Sequence, residues 1–155
     1  MKSVRDLGPD GAVLWLAGLS SFAVALVHVV MVPIGTPAYR YFTAPERLIH
    51  LSEQGSLIPA LVTLGLAAGF TVWGLYGCSG GGMIRRLPLL RTGLAVIGAA
   101  YTLRGTLIVP QIAGAYQPSR GLAFSAVSLV VGAAHLIGLA RSWRRLRLGR
   151  GRGSP

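Results

Sequence analysis

Four long apolar stretches leave this chain few ways to fold. They cover residues 12–33, 57–76, 89–109 and 122–140, and each is close to the ~20 residues that a helix needs to cross a bilayer. Lipid offers the backbone no hydrogen-bond partners, so a spanning segment satisfies its own amide groups as a helix. The sequence therefore predicts an all-α polytopic membrane protein, a four-transmembrane-helix bundle.

Little of the chain is left to form anything else. Hydrophobic residues make up 52% and charged residues only 12% of it, about half the charged share of a soluble domain. The longest polar segment between the stretches, residues 35–56, is too short for a soluble domain. We expect a single membrane domain over residues 1–155. Its first stretch exceeds the ~7–15 apolar residues of a signal peptide and is expected to stay as an anchor.

The basic residues predict the orientation of the bundle. Eleven of the fifteen lie before the first stretch, around residues 77–91, or after the fourth stretch. Positive charge is retained on the cytoplasmic side, so both termini and the loop at 77–88 are predicted to be cytoplasmic. The net charge of +11 follows from this topology, and we expect no nucleic-acid partner.

The C-terminal tail, residues 141–155, predicts contact with lipid. Arginines alternate there with Trp143, Leu146 and Leu148, a pattern suited to an anionic lipid surface. A specific protein or RNA ligand is the alternative. The predicted surface residues are Arg141, Arg144, Arg145 and Arg147.

Small residues predict where helices approach each other. Gly65 and Gly69, and Ala95 and Ala99, are spaced four apart, which allows close backbone contact in lipid. Packing within one chain is favoured over packing between two chains.

The segment 43–53 carries the first group of candidate site residues. Thr43-Ala-Pro-Glu46 matches a capping box and predicts a short helix over residues 44–52 along the membrane surface. Glu46, His50 and Glu53 then share one helix face. They could ligate a metal, but a solvated polar face has the same pattern and is favoured. Tyr39, Tyr41 and Phe42 are expected to form an interfacial aromatic belt.

Arg104 lies inside the third apolar stretch and needs a partner there. The side chain could snorkel to the surface, or it could form a salt bridge with Glu53 or Glu46. His28 is expected at the same depth, and Tyr101 lies one helical turn from Arg104. The sequence thus predicts one polar layer, serving as a structural tie, a proton relay or an anionic head-group site. Its members are His28, Glu46, His50, Glu53, Tyr101 and Arg104.

A cofactor is not predicted. His135 is expected roughly 12 Å deeper than His28, which argues against a haem shared by these two residues, and the sequence indicates no metal site. The single cysteine, Cys78, excludes an intramolecular disulfide.

Short phrases of the chain resemble small four-helix inner-membrane proteins of bacteria. They are Ala38-Tyr-Arg-Tyr-Phe, Trp73-Gly-Leu-Tyr-Gly, Arg86-Leu-Pro-Leu-Leu-Arg and Thr102-Leu-Arg-Gly. The resemblance implies only the four-span topology, and no reaction, cofactor or partner; the bacterial inner membrane is the expected location.

The absence of a catalytic motif favours an accessory or scaffold subunit, docked to a membrane-protein partner or to further copies of the chain. A small carrier or proton-coupled permease that uses the polar layer is the alternative. An enzyme acting on lipid head groups ranks third.

Overall fold

The computed structural model describes the backbone of residues 8–113 and 119–148, and the side chains of residues 8–113 and 121–143. Within these ranges the ordered elements are all helices, and 84% of the described residues are helical. The helices are α1 (Pro9–Ile34), α2 (Thr36–Tyr41), α3 (Glu46–Glu53), α4 (Ile58–Gly81), α5 (Leu90–Gly105), α6 (Ile108–Ile112) and α7 (Ser119–Leu148).

Four helical segments are long and apolar enough to cross a membrane, which confirms the predicted fold class. They are Pro9–Ile34, Ile58–Gly81, Leu90–Ile112 and Gly121–Trp143. The third segment combines α5 with the short α6. The chain is therefore a multi-pass membrane protein. The end of the bundle at which α2 and α3 lie is called the α3 end below.

The bundle consists of two helix pairs. α1 packs along α4, and α5 packs along α7. The two pairs meet chiefly where α1 contacts α7, while α4 and α5 contact each other less. The outer surface is apolar, with Leu26, Leu61 and Val130 each more than 60% exposed, as expected for helices that face lipid.

Glycine allows α1 and α4 to approach within backbone contact. A Cβ atom added at Gly77 would lie 2.5 Å from the Gly18 Cα atom, and one added at Gly18 would lie 2.8 Å from the Gly74 carbonyl oxygen. The prediction that Gly65 and Gly69 pack within the chain is wrong, because a Cβ at either would meet nothing within 4 Å. α4 turns these two glycines away from α1, since its buried face runs through Thr63, Ala67 and Gly74.

A second glycine contact joins α5 and α7. A Cβ at Gly132 would lie 2.6 Å from the Thr102 hydroxyl oxygen and 3.1 Å from the Gly98 carbonyl oxygen. The predicted Ala95/Ala99 pair is not at this crossing, because Ala99 is exposed and Ala95 is only half-buried. Gly98, one helical turn after Ala95, is the buried small residue at this crossing.

The segment between α1 and α4 differs from its prediction in two respects. Thr43 has a positive φ of 55° and does not cap a helix; the chain turns there, and α3 begins after Pro45 with no side-chain cap. Tyr41 is exposed, as a residue of an aromatic belt would be, whereas Tyr39 cannot belong to such a belt, because it is 3% exposed and packs with Met31 and Ile49. The sequence did not predict α2, the short helix in which the Tyr39 side chain is buried.

Candidate functional site

The predicted face of α3 is present. The His50 Nε2 atom lies 3.5 Å from Glu46 Oε1, and His50 Nδ1 lies 3.3 Å from Glu53 Oε2. Arg40, on α2, forms a salt bridge with Glu53. The hydrogen bond from the Arg40 guanidinium lowers the pKa of Glu53, and the same bond raises the pKa of Arg40. The charged face thus ties α3 to α2.

This charged face is mostly exposed to solvent. The side chains of Glu46, His50 and Arg40 each expose more than 60% of their surface. Among the residues that the structure describes, no group of three or more His, Cys, Asp and Glu side chains is arranged to hold a metal ion. Exposed ion pairs of this kind contribute little to stability because water and salt screen them. The arrangement supports the solvated-face interpretation.

Arg104 does not form the predicted salt bridge. Its Nη1 atom donates a hydrogen bond of 3.2 Å to the Ser125 hydroxyl of α7. Glu53 is held by Arg40 on α2, and Glu46 contacts His50. The prediction failed because Arg40, only thirteen residues before Glu53, reaches that carboxylate along the surface, whereas Arg104 lies on the α5–α7 side of the bundle.

His28 is joined to the rest of the layer by aromatic rings. Its ring centroid lies 5.0 Å from that of Phe70 on α4, and the Phe70 ring lies 6.0 Å from that of Tyr101 on α5. Trp73 completes the group, at 5.1 Å from Phe70 and 5.2 Å from Tyr101. These rings occupy the space between α4 and α5.

Tyr101 is the central residue of the buried part of the layer. It is 5% exposed, and its hydroxyl donates a 3.1 Å hydrogen bond to Ser21 on α1. Ser21 is fully buried and donates in turn to the Ala17 carbonyl oxygen on its own helix. The link crosses from one helix pair to the other near the middle of the spans.

His135 belongs to this buried group, although the sequence placed it apart. Its ring stacks on Tyr101 at 5.8 Å with an interplanar angle of 20°, and it is fully buried. Only the depths of His28 and His135 could be compared from the sequence, which does not reveal that the rings of Phe70 and Tyr101 connect the two histidines. The sequence did contain an indication that His135 is buried: Gly132 and Gly138 lie three residues before and after it, and both pack against neighbouring helices.

The protonation of His135 follows from its contacts. Nδ1 lies 2.9 Å from the Val131 carbonyl oxygen, which can only accept, so Nδ1 carries the proton. In the neutral ring Nε2 is then an acceptor, and it is buried with no hydrogen-bond partner among the described residues. His28 makes the same contact with the Val24 carbonyl oxygen, at 2.8 Å.

The opposite end of the bundle, where α4 ends and α5 begins, is basic. Arg91 at the start of α5 lies over the Trp143 ring, with 3.4 Å between the guanidinium carbon and the ring centroid. Arg141 is exposed. The other predicted lipid-surface side chains, those of Arg144, Arg145 and Arg147, lie outside the described residues.

The fold and these contacts define a four-span membrane protein with a charged surface face and a buried Ser–Tyr–His group. The chain matches no protein-family model, no curated protein and no solved structure.

Proposed function

We propose that the protein is an accessory subunit that docks onto a helix of a membrane partner. The docking surface is the outward side of α4 around Gly65 and Gly69, called the Gly65–Gly69 face. The partner is another membrane protein or a further copy of this chain.

The supporting observation is the contrast between two sets of glycines. At Gly18, Gly77 and Gly132 a Cβ would come within 3 Å of a neighbouring helix, whereas at Gly65 and Gly69 it would meet nothing within 4 Å. A glycine inside a helix costs about 1 kcal/mol relative to alanine. Inside the bundle that cost is offset by close packing. On the Gly65–Gly69 face a partner helix would offset it in the same way.

The packing of the buried polar group gives a carrier less support. A carrier or proton-coupled permease needs a polar path through the bundle. The Tyr101 and Ser21 hydroxyls are engaged with each other and with the α1 backbone. The rings of Phe70 and Trp73 fill the adjoining space between α4 and α5.

We also propose the bacterial inner membrane as the location, with both termini cytoplasmic. The charge distribution supports this orientation, since eleven basic residues belong to the side that carries the termini. Four of the eleven, Arg85, Arg86, Arg91 and Arg141, lie within the described residues at the end of the bundle opposite α3.

Bulky substitutions on the Gly65–Gly69 face test the docking function. Gly65→Ile and Gly69→Ile are expected to leave the fold intact, because there is open space at both positions, and to release the chain from its complex. The control is Ala23→Ile, which adds a side chain to an exposed position of α1. Native gel electrophoresis of membranes in mild detergent measures the size of the complex.

The wild type and Ala23→Ile are expected to migrate as one complex larger than the monomer, and the two glycine variants as monomers. A monomeric wild type, or glycine variants that stay in the complex, would contradict the proposal.

A further inference from the structure

Arg104 is a charged residue in an apolar span with most of its hydrogen-bonding capacity unused. It is the last residue but one of α5, inside the span Leu90–Ile112, and it is exposed. A guanidinium has five N–H donors. Among the described residues its one partner is the Ser125 hydroxyl.

Among the residues that the structure describes, none is a counter-ion to Arg104. There are four acidic residues. Glu53 is paired with Arg40, and Glu46 contacts His50. Asp10 lies in the first turn of α1, at the end of the bundle away from α3, and Asp6 lies outside the described residues.

Ser125 fixes the position of the charge. It is fully buried on α7, so its hydroxyl holds one side of the guanidinium against the bundle. The next residue toward the helix start, Phe124, contacts Phe42 between α2 and α3, with 5.5 Å between ring centroids. The Arg104–Ser125 pair therefore lies near the level of α2 and α3, where we place the lipid head groups.

We propose that Arg104, positioned by Ser125, binds the phosphate of a lipid head group in the leaflet at the α3 end. Phosphate is the anion that every phospholipid places at this depth. A long arginine side chain reaches it by snorkelling, and the planar guanidinium binds phosphate through two parallel hydrogen bonds. The site holds one lipid in place against the α5–α7 pair, on a different helix pair from the Gly65–Gly69 face.

The test is equilibrium binding of lipid to the full chain in detergent after removal of bound lipid. The probes are phosphatidylglycerol and a diacylglycerol with the same acyl chains. Salt at about 1 M shortens the Debye length to ~3 Å and so suppresses the long-range attraction of the anionic lipid to basic residues outside the spans, while direct hydrogen bonds to Arg104 can still form. The variants are Arg104→Gln and, as a matched control, Arg47→Gln, which removes an exposed charge from α3 outside the spans.

The wild type and Arg47→Gln are expected to bind phosphatidylglycerol equally. Arg104→Gln is expected to bind it about tenfold more weakly, the effect of one lost charge-assisted contact. Diacylglycerol is expected to bind the wild type about tenfold more weakly than phosphatidylglycerol does. The comparison of the two lipids needs only the wild type, so it still tests whether the phosphate is recognised if Arg104→Gln fails to fold.

Three results would overturn the proposal. Equal binding by Arg104→Gln and the wild type would show that another group holds the lipid. Equal binding of diacylglycerol and phosphatidylglycerol would show that acyl chains alone are recognised. Competition by inorganic phosphate at the concentration of the lipid would show that Arg104 takes a soluble anion instead.

Discussion

Replacing Gly77 by alanine is expected to weaken the contact between α1 and α4. The added Cβ would lie 2.5 Å from the Gly18 Cα atom, 2.7 Å from the Gly18 nitrogen and 2.9 Å from the Leu14 carbonyl oxygen. Optimal contacts between carbon atoms are about 3.5–4.0 Å, so the two helices would have to separate by about 1 Å.

The magnitude follows from two opposing effects. Overpacking costs about 1–3 kcal/mol, and the upper end applies because all three neighbouring atoms belong to the backbone and cannot rotate away. Alanine returns about 1 kcal/mol through its higher helix propensity. The net loss in the free energy of unfolding is about 2 kcal/mol, roughly thirtyfold in the equilibrium constant.

Gly69→Ala is the matched control, because it makes the same change on the same helix where nothing lies within 4 Å. We expect it to leave the free energy of unfolding of the monomer unchanged or to raise it by up to about 1 kcal/mol; both variants are compared as monomers, because Gly69 belongs to the proposed docking face. Unfolding by sodium dodecyl sulfate in mixed micelles, followed by circular dichroism, measures both variants. A Gly77→Ala protein as stable as Gly69→Ala would refute the close α1–α4 contact.

Three further predictions concern the polar residues. The hydrogen bond from Arg40 lowers the folded-state pKa of Glu53, so the pair adds a small stabilisation above the ordinary carboxylate pKa that is lost as the pH falls through the lowered value. Arg40→Gln should therefore raise the pKa of Glu53 toward its ordinary value in an NMR titration, and an unchanged pKa would refute the pairing. Tyr101→Phe removes the bond to Ser21 and should cost about 0.6 kcal/mol in the same unfolding assay, so a loss well above 2 kcal/mol would mean that the hydroxyl has another partner. His135→Leu removes a buried nitrogen that has no partner among the described residues, and it also removes the ring stacked on Tyr101, a contact of about 0.5–1.5 kcal/mol. The loss in the free energy of unfolding should therefore stay below about 1.5 kcal/mol, and a loss above about 2 kcal/mol would reveal a donor at Nε2.

The spans could be predicted from the sequence because each depends on the summed hydrophobicity of many residues and not on any single contact. About twenty apolar residues determine a spanning helix whatever its neighbours are, and the face shared by Glu46, His50 and Glu53 follows from helix periodicity alone. Both features depend on local sequence, and both are present in the structure.

The partners of individual side chains could not be predicted, because they depend on how the helices rotate against each other. Gly65 and Gly69 have the spacing of a packing motif, yet the contact with α1 is made by Gly74 and Gly77 further along the same helix. Glu53 had two possible arginine partners, and the choice between them depended on α2, a helix too short to leave a periodic signal.

The central claim is that successive spans cross the membrane in alternating directions, and single-cysteine labelling tests the two middle crossings directly. In a Cys78→Ser background, Gln54→Cys, Ile84→Cys and Ala113→Cys place one thiol in each segment between spans, at positions that are exposed. Intact cells are treated with a maleimide that cannot cross membranes. The account predicts that the thiols at 54 and 113 are labelled and that the thiol at 84 is labelled only after lysis. Labelling of all three in intact cells, or of 54 and 84 alike, would contradict it, because α4 would then not cross the membrane.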